Sequence, residues 1–156
     1  MPTMFLPDDV ETALSDLLKA QLTGIETSPI GEADIDDDDQ LVLKMPCARP
    51  RYAASSYAES NDLTQTTYNA EHAYEIWCAD ENLTSKEAQR QAAKAIVRQV
   101  LPVLAGARLT MPDNSASKTA PIRLLGIDSI VGDVLGMIYV VRVSVPGIAQ
   151  FSGVNA

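Results

Sequence analysis

With 156 residues, 46% of them hydrophobic, the chain is long enough for one domain with an ordinary core, and two cysteines are too few for a disulfide framework. A net charge of −9 opposes non-specific attraction to nucleic acid or anionic lipid, and no apolar run approaches the ~20 residues of a membrane span. The first residues lack the basic and apolar regions of a signal peptide, so synthesis in a cytoplasm under reducing conditions is expected.

Asp8-Asp-Val-Glu11 opens an amphipathic helix with Asp8 as N-cap and Glu11 as its capping-box partner; Val10, Leu14, Leu17, Leu18 and Leu22 form the buried stripe and Thr23-Gly24 ends it. Residues 25–40 lack a sustained period and contain the acidic run Asp36, Asp37, Asp38 and Asp39. That run has no glycine at the position a calcium loop requires, so it reads as a solvated loop, with cation binding or a contact between copies as the alternatives. Leu41 to Tyr57 reads as an extended segment interrupted by Pro46 and Pro50, which confine it to an edge or a bulged strand.

Glu59 to Thr67 is a polar hairpin tip. If the hairpin is symmetric about Asp62 and Leu63, Tyr57 lies opposite Tyr68 and Cys47 opposite Cys78, although a disulfide is not expected in a reducing compartment. In the strand His72 to Asp80, alternation puts Tyr74, Ile76 and Cys78 on one face and Ala73, Glu75, Trp77 and Ala79 on the other. His72 is most simply a strand residue at the sheet surface. No metal site is expected, because two cysteines and one histidine cannot supply the usual four ligands.

Thr84-Ser-Lys-Glu87 fits a capping box at the start of the longest helix, with Leu83 against Ala88 as a hydrophobic staple and Gly106 placed to end the helix in a left-handed conformation. Pro102 is expected to kink the helix or end it a turn early. Lys86, Arg90, Lys94 and Arg98 recur at every fourth position, either as a solvated face or as a contact for an acidic surface on another subunit. Arg108 to Ala120 is a polar loop. Ile122–Asp133 and Met137–Val145 form a hairpin across Val134-Leu135-Gly136, with Pro146-Gly147 stopping the last strand and leaving a short flexible tail. The predicted fold is α+β in the order α-β-β-α-β-β, a small antiparallel sheet of about four strands with two helices packed on one face.

Charge is unevenly spread: residues 1–81 hold 17 acidic and four basic residues, residues 82–156 four acidic and eight basic. Two unlike surfaces would let copies associate head-to-tail into a ring, unless folding intermixes the halves and cancels the asymmetry. The chain has no Gly-rich phosphate fingerprint, no paired His/Cys cluster and no nucleophile elbow, so neither catalytic residues nor a cofactor is expected and the chain is not read as an enzyme.

The Phe5-Leu-Pro-Asp-Asp-Val-Glu11 helix start, the proline-rich strand around Pro46 to Tyr52, the His72-Ala-Tyr-Glu-Ile-Trp77 strand feeding the Thr84–Gly106 helix, and the closing Gly136–Val145 strand together resemble the minor tail proteins of Mu-like phages and prophages, whose suggested role is tail terminator. The resemblance covers nearly the whole chain but rests on pattern and a few short stretches. It implies a hexameric ring of this chain in the virion, at the head-proximal end of the tail. The ring caps the tail tube, ends its growth and offers the surface for the head-completion or connector protein. Its partners are further copies, the tube protein and that head protein, and DNA passes the lumen without specific binding; no membrane is involved. Under this resemblance the candidate subunit or tube interface is Arg49, Arg51, Tyr52, Tyr57 and Tyr68 with the ridge Lys86, Arg90, Lys94 and Arg98, since Tyr and Arg are enriched in interface hot spots. Asp36 to Asp39 are the candidate acidic lumen or end-face. The alternative is a tail-assembly chaperone or adaptor that never enters the virion.

Overall fold

A computed structural model describes residues 7–31, 34, 35, 37, 44–58, 67–80, 85–110, 119–132 and 136–150. Helix α1 (Pro7–Gln21) is followed by strands β1 (Cys47–Tyr57) and β2 (Thr67–Ala79), helix α2 (Lys86–Leu104), and strands β3 (Arg123–Gly132) and β4 (Gly136–Gln150). The strands form one antiparallel sheet in the order β1-β2-β4-β3. Both helices pack on the same face, as the predicted α+β fold requires.

The two faces of β2 divide as its alternation predicts. Tyr74, Ile76 and Cys78 lie under the helices with Val10, Leu14 and Leu18 of α1 and Ile96, Val97, Val100 and Leu104 of α2, while Trp77 and Ala79 join Cys47, Ile138 and Val140 on the far face. The strand starts five residues before His72, because β4 is long enough to pair with it back to Thr67. His72 shares the helix-side face of Tyr74 and is buried, which corrects its expected place at the sheet surface.

The hairpin register differs from the symmetric one. Cys47 pairs with Ala79 and Ala48 with Cys78. A slip of one residue exchanges the faces of a strand, so the two cysteines sit on opposite sides of the sheet as free, buried thiols. Burial pushes the Cys47 pKa up to about 11 and raises that of Cys78 as well. A bulge between Tyr52 and Ala54 adds a second shift, so Tyr57 pairs with Ala70 rather than Tyr68.

At α1, Pro7 occupies the first turn, where its missing N–H is no loss, and Asp8 lies inside that turn rather than capping it. Glu11 closes no capping box: its carboxylate accepts the Tyr52 backbone N–H at 2.8 Å and so ties α1 to β1. At α2 the cap is Ser85, one residue after the predicted Thr84, and its hydroxyl accepts from Ala88 N–H. Thr84 and the Leu83 staple lie outside the described residues, as do Leu41–Leu43. Pro102 sits inside α2, which continues to Leu104; it stands in the last turn, where only one hydrogen bond is lost before the helix ends anyway. Pro146-Gly147 does not stop β4, which runs on to Gln150. β3 begins opposite Ser144, so beyond that point β4 is an edge strand, where proline is tolerated.

Gly106 has φ +72°, and a Cβ there would meet nothing within 4 Å. Gly106→Ala therefore isolates the backbone cost of the left-handed conformation. Urea denaturation is expected to show a loss of about 1 kcal/mol with an unchanged m-value.

Candidate functional site

The bulge in β1 determines what the hairpin presents. Before it, Tyr52 faces the helix side opposite Tyr74; after it, the extra residue brings Ser55 opposite His72 onto the same side. The Tyr52 hydroxyl meets Ser55 Oγ, and Ser55 Oγ lies 2.6 Å from His72 Nδ1. The four tyrosines of the β1–β2 hairpin form two edge-to-face pairs, Tyr52 with Tyr74 at 5.7 Å and Tyr57 with Tyr68 at 6.0 Å between ring centroids. Tyr74 is buried and donates to the Pro7 carbonyl, whereas Tyr57 is 49% exposed. The hairpin thus carries a tyrosine row that runs from the core out to solvent.

The two arginines of β1 are not part of that row. Arg51 lies with its guanidinium 5.8 Å from the centroid of the Trp77 ring, on the far face of the sheet. Arg49 is only 4% exposed and makes its contacts inside the domain. It forms a two-pronged ion pair with Asp34 and donates to the carbonyls of Ser28 and Pro29, both at 2.9 Å. Arg49 is therefore removed from the predicted contact surface, because a buried guanidinium whose donors are turned to Ser28, Pro29 and Asp34 inside the domain is not presented to a neighbour. What it holds is the segment after α1, which the sequence presents as a loop and which instead lies along β1, with Glu26 bridging to Cys47. Burial alone would raise the Asp34 pKa, but the Arg49 hydrogen bonds, the Gly31 N–H and the arginine charge outweigh it, and the carboxyl lies below its ordinary value.

On α2 the four basic residues form the predicted ridge. Lys86 and Arg98 are exposed and Arg90 and Lys94 half-buried. Arg90 pairs with Glu87 on the adjacent turn, which relieves part of the like-charge repulsion along the row. Asp37 is exposed, while Asp36, Asp38 and Asp39 lie outside the described residues.

Sequence reasoning missed the apolar row on β3. Leu124, Leu125, Ile127 and Ile130 are 40–49% exposed. Its signal was present in the run Leu-Leu-Gly-Ile, which is apolar on both strand faces and so cannot bury every side chain at an edge. Among the described residues no group of three or more His, Cys, Asp and Glu side chains could hold a metal ion. No described helix is long and apolar enough to cross a membrane.

No family model matches this sequence, and no curated protein matches it. A solved chain from the "Virion of native gene transfer agent (GTA) particle" has a similar fold, with a TM-score of 0.61 and 15% sequence identity over 95% of this chain and 100% of that one.

Two half-buried carboxylates give opposite pH signatures. Asp34→Ala leaves Arg49 buried without its counter-charge and is expected to cost about 3–5 kcal/mol in urea denaturation. Because the Asp34 pKa is lowered on folding, its stabilisation is present above the ordinary carboxylate pKa and is lost as pH falls through the lowered value. For Glu11, burial raises the pKa against the opposing Tyr52 N–H, and the Asp8 charge raises it further. Its contribution is therefore full below the ordinary value and is lost as pH rises through the raised one. Glu11→Gln keeps an acceptor for Tyr52 without the charge, so its thermal midpoint at neutral pH is expected to equal or exceed that of the wild type, whereas Glu11→Ala lowers it by leaving the N–H unpaired.

Proposed function

We propose that this chain is a structural protein of a phage-like virion and, within that class, the terminator of the tail: a ring of copies that caps the tube, ends its growth and offers the head-joining surface. The observation that carries the reading is the shared fold, which extends over the whole length of a chain from a gene transfer agent virion. The resemblance to Mu-like minor tail proteins, made on different grounds, points to the same kind of particle. The reading contains no catalytic step and no cofactor. Made in a bacterial cytoplasm, the protein would act at the head-proximal end of the tail, with the tube protein on one side and a head-completion protein on the other.

Ring closure needs two unlike surfaces on each subunit. The α2 ridge supplies a positive one in Lys86, Lys94 and Arg98, and the N-terminal half of the chain supplies the negative charge, Asp37 included. The exposed end of the tyrosine row, at Tyr57, suits contact with the neighbouring subunit or the tube. An acidic lumen would let DNA slide by repelling its phosphates.

Electron microscopy of particles made without this gene tests the role: over-long tubes beside tailless, DNA-filled heads are expected, and normal infectious virions would remove the reading. Mass spectrometry of purified particles separates a virion component from an assembly chaperone, which would be absent. The triple variant Lys86→Glu, Lys94→Glu, Arg98→Glu is expected to fold, as judged by circular dichroism, yet to leave such a deletion uncomplemented.

A further inference from the structure

The two edges of the sheet are unlike. Along the outer side of β1, Ala48 N–H donates to the Glu26 carbonyl, Glu26 N–H to the Pro46 carbonyl and Ile30 N–H to the Pro50 carbonyl, while Tyr52 N–H is taken by Glu11. That edge is covered in the way proteins normally protect a sheet from pairing with another chain. Among the described residues no backbone hydrogen bond reaches β3 from its outer side. The helix layer lies on β1, β2 and β4, and the β3 side chains Leu124 (43%), Leu125 (49%), Ile127 (46%) and Ile130 (40%) stay exposed.

Beside this row lies an arginine that reaches past its own strand. Arg142 of β4 pairs with Gly126 of β3, and its guanidinium lies across that glycine so closely that a Cβ there would be 2.9 Å from Nη2. Its Nε holds Asp128 at 2.8 Å, and both side chains remain about half exposed, at 47% and 57%. The absence of a side chain at Gly126 thus lets a cation extend toward the open edge of the sheet.

We propose that β3 is the docking strand for a second copy of this chain, the two β3 strands pairing antiparallel about a two-fold axis at Ile127. The charges select both the occupant and the register. With Ile127 opposite its own counterpart, Gly126 lies opposite the second copy's Asp128, on the face that carries Arg142. Each guanidinium then meets a carboxylate from both copies. A register centred on Asp128 would instead set like charges directly opposite each other, which is destabilising. On the other face the two Ile127 side chains form a β-branched pair, and the flanking leucines are covered by the same docking. The contact is closed and isologous, so it is distinct from head-to-tail ring contacts and does not rest on the tail-terminator reading.

The test uses the full chain. Sedimentation equilibrium is expected to show a dimer. Opposite residues of an antiparallel pair have Cβ atoms about 4.5–5.5 Å apart, so Ile127→Cys is expected to give a disulfide-linked dimer under mild oxidation at least about fivefold more efficiently than Leu124→Cys or Ile130→Cys. The buried Cys47 and Cys78 contribute no background. Arg142→Gln is expected to weaken the dimer by about tenfold or more, and Ile127→Lys to abolish it, with circular dichroism unchanged in both. A monomeric wild type, or cross-linking at Leu124→Cys or Ile130→Cys equal to or above that at Ile127→Cys, would overturn the proposal. Tail length and particle composition would be unaffected by such a failure, so it is distinguishable from failure of the proposed role.

Discussion

Strand β2 has apolar side chains on both faces and lies between two partners, and that burial on both sides constrains everything placed around it. Its even-numbered residues need a cover of the area that two helices provide, which α1 and α2 supply from one side with Val10, Leu14, Ile96 and Val100. Its odd-numbered residues require a second, smaller apolar layer, made by Cys47, Ile138 and Val140 from the flanking strands with Ile30 and Met45 packed against it. A polar residue introduced at Ile76 would disrupt the layer under the helices and one at Trp77 the layer on the far face, because β2, like its neighbours β1 and β4, contributes side chains to both.

The edges follow from that centre. β1 carries Pro50 and a bulge, and its outer side is taken by the segment around Glu26 to Ile30, which the buried Arg49–Asp34 pair locks in place. A buried ion pair adds little net stability against an apolar substitute, yet removing either partner is costly, so its effect is to specify one position for the segment. Among the described residues β3 has no such cover. The sheet therefore has one closed and one open edge, and the open one is rich in leucine and isoleucine. An edge of this kind is a contact to be used or guarded.

Side chains that look alike in the sequence part company in the fold. Arg49 and Arg51 are two residues apart and share a strand face, but one is enclosed by carbonyls and a carboxylate while the other lies over Trp77 near solvent. Tyr74 and Tyr57 belong to the same row, one with its hydroxyl bonded inside the domain and the other half in water. Chemistry-bearing residue types are thus a poor guide to surface here, since the same guanidinium or phenol serves equally well as internal anchor and as external contact.

The sequence alone determined the elements that periodicity encodes: the α1 stripe, the division of β2 into Tyr74-Ile76-Cys78 and Trp77-Ala79, the existence of α2 with its row of basic residues, the left-handed Gly106, and the order α-β-β-α-β-β. Each depends on residues within a turn or two of one another, where sterics and solvent preference act directly. Tertiary structure alone decided the hairpin register, because a bulge at Ala53 and a slip at Cys47 cost little locally and are selected by what they pack against. It also decided that Arg49 and His72 are buried, that Glu11 serves β1 instead of its own helix, and that β4 passes Pro146 once β3 is no longer beside it. These outcomes depend on partners tens of residues away, and a single sequence holds no local signal for which acceptor a buried N–H or guanidinium will find.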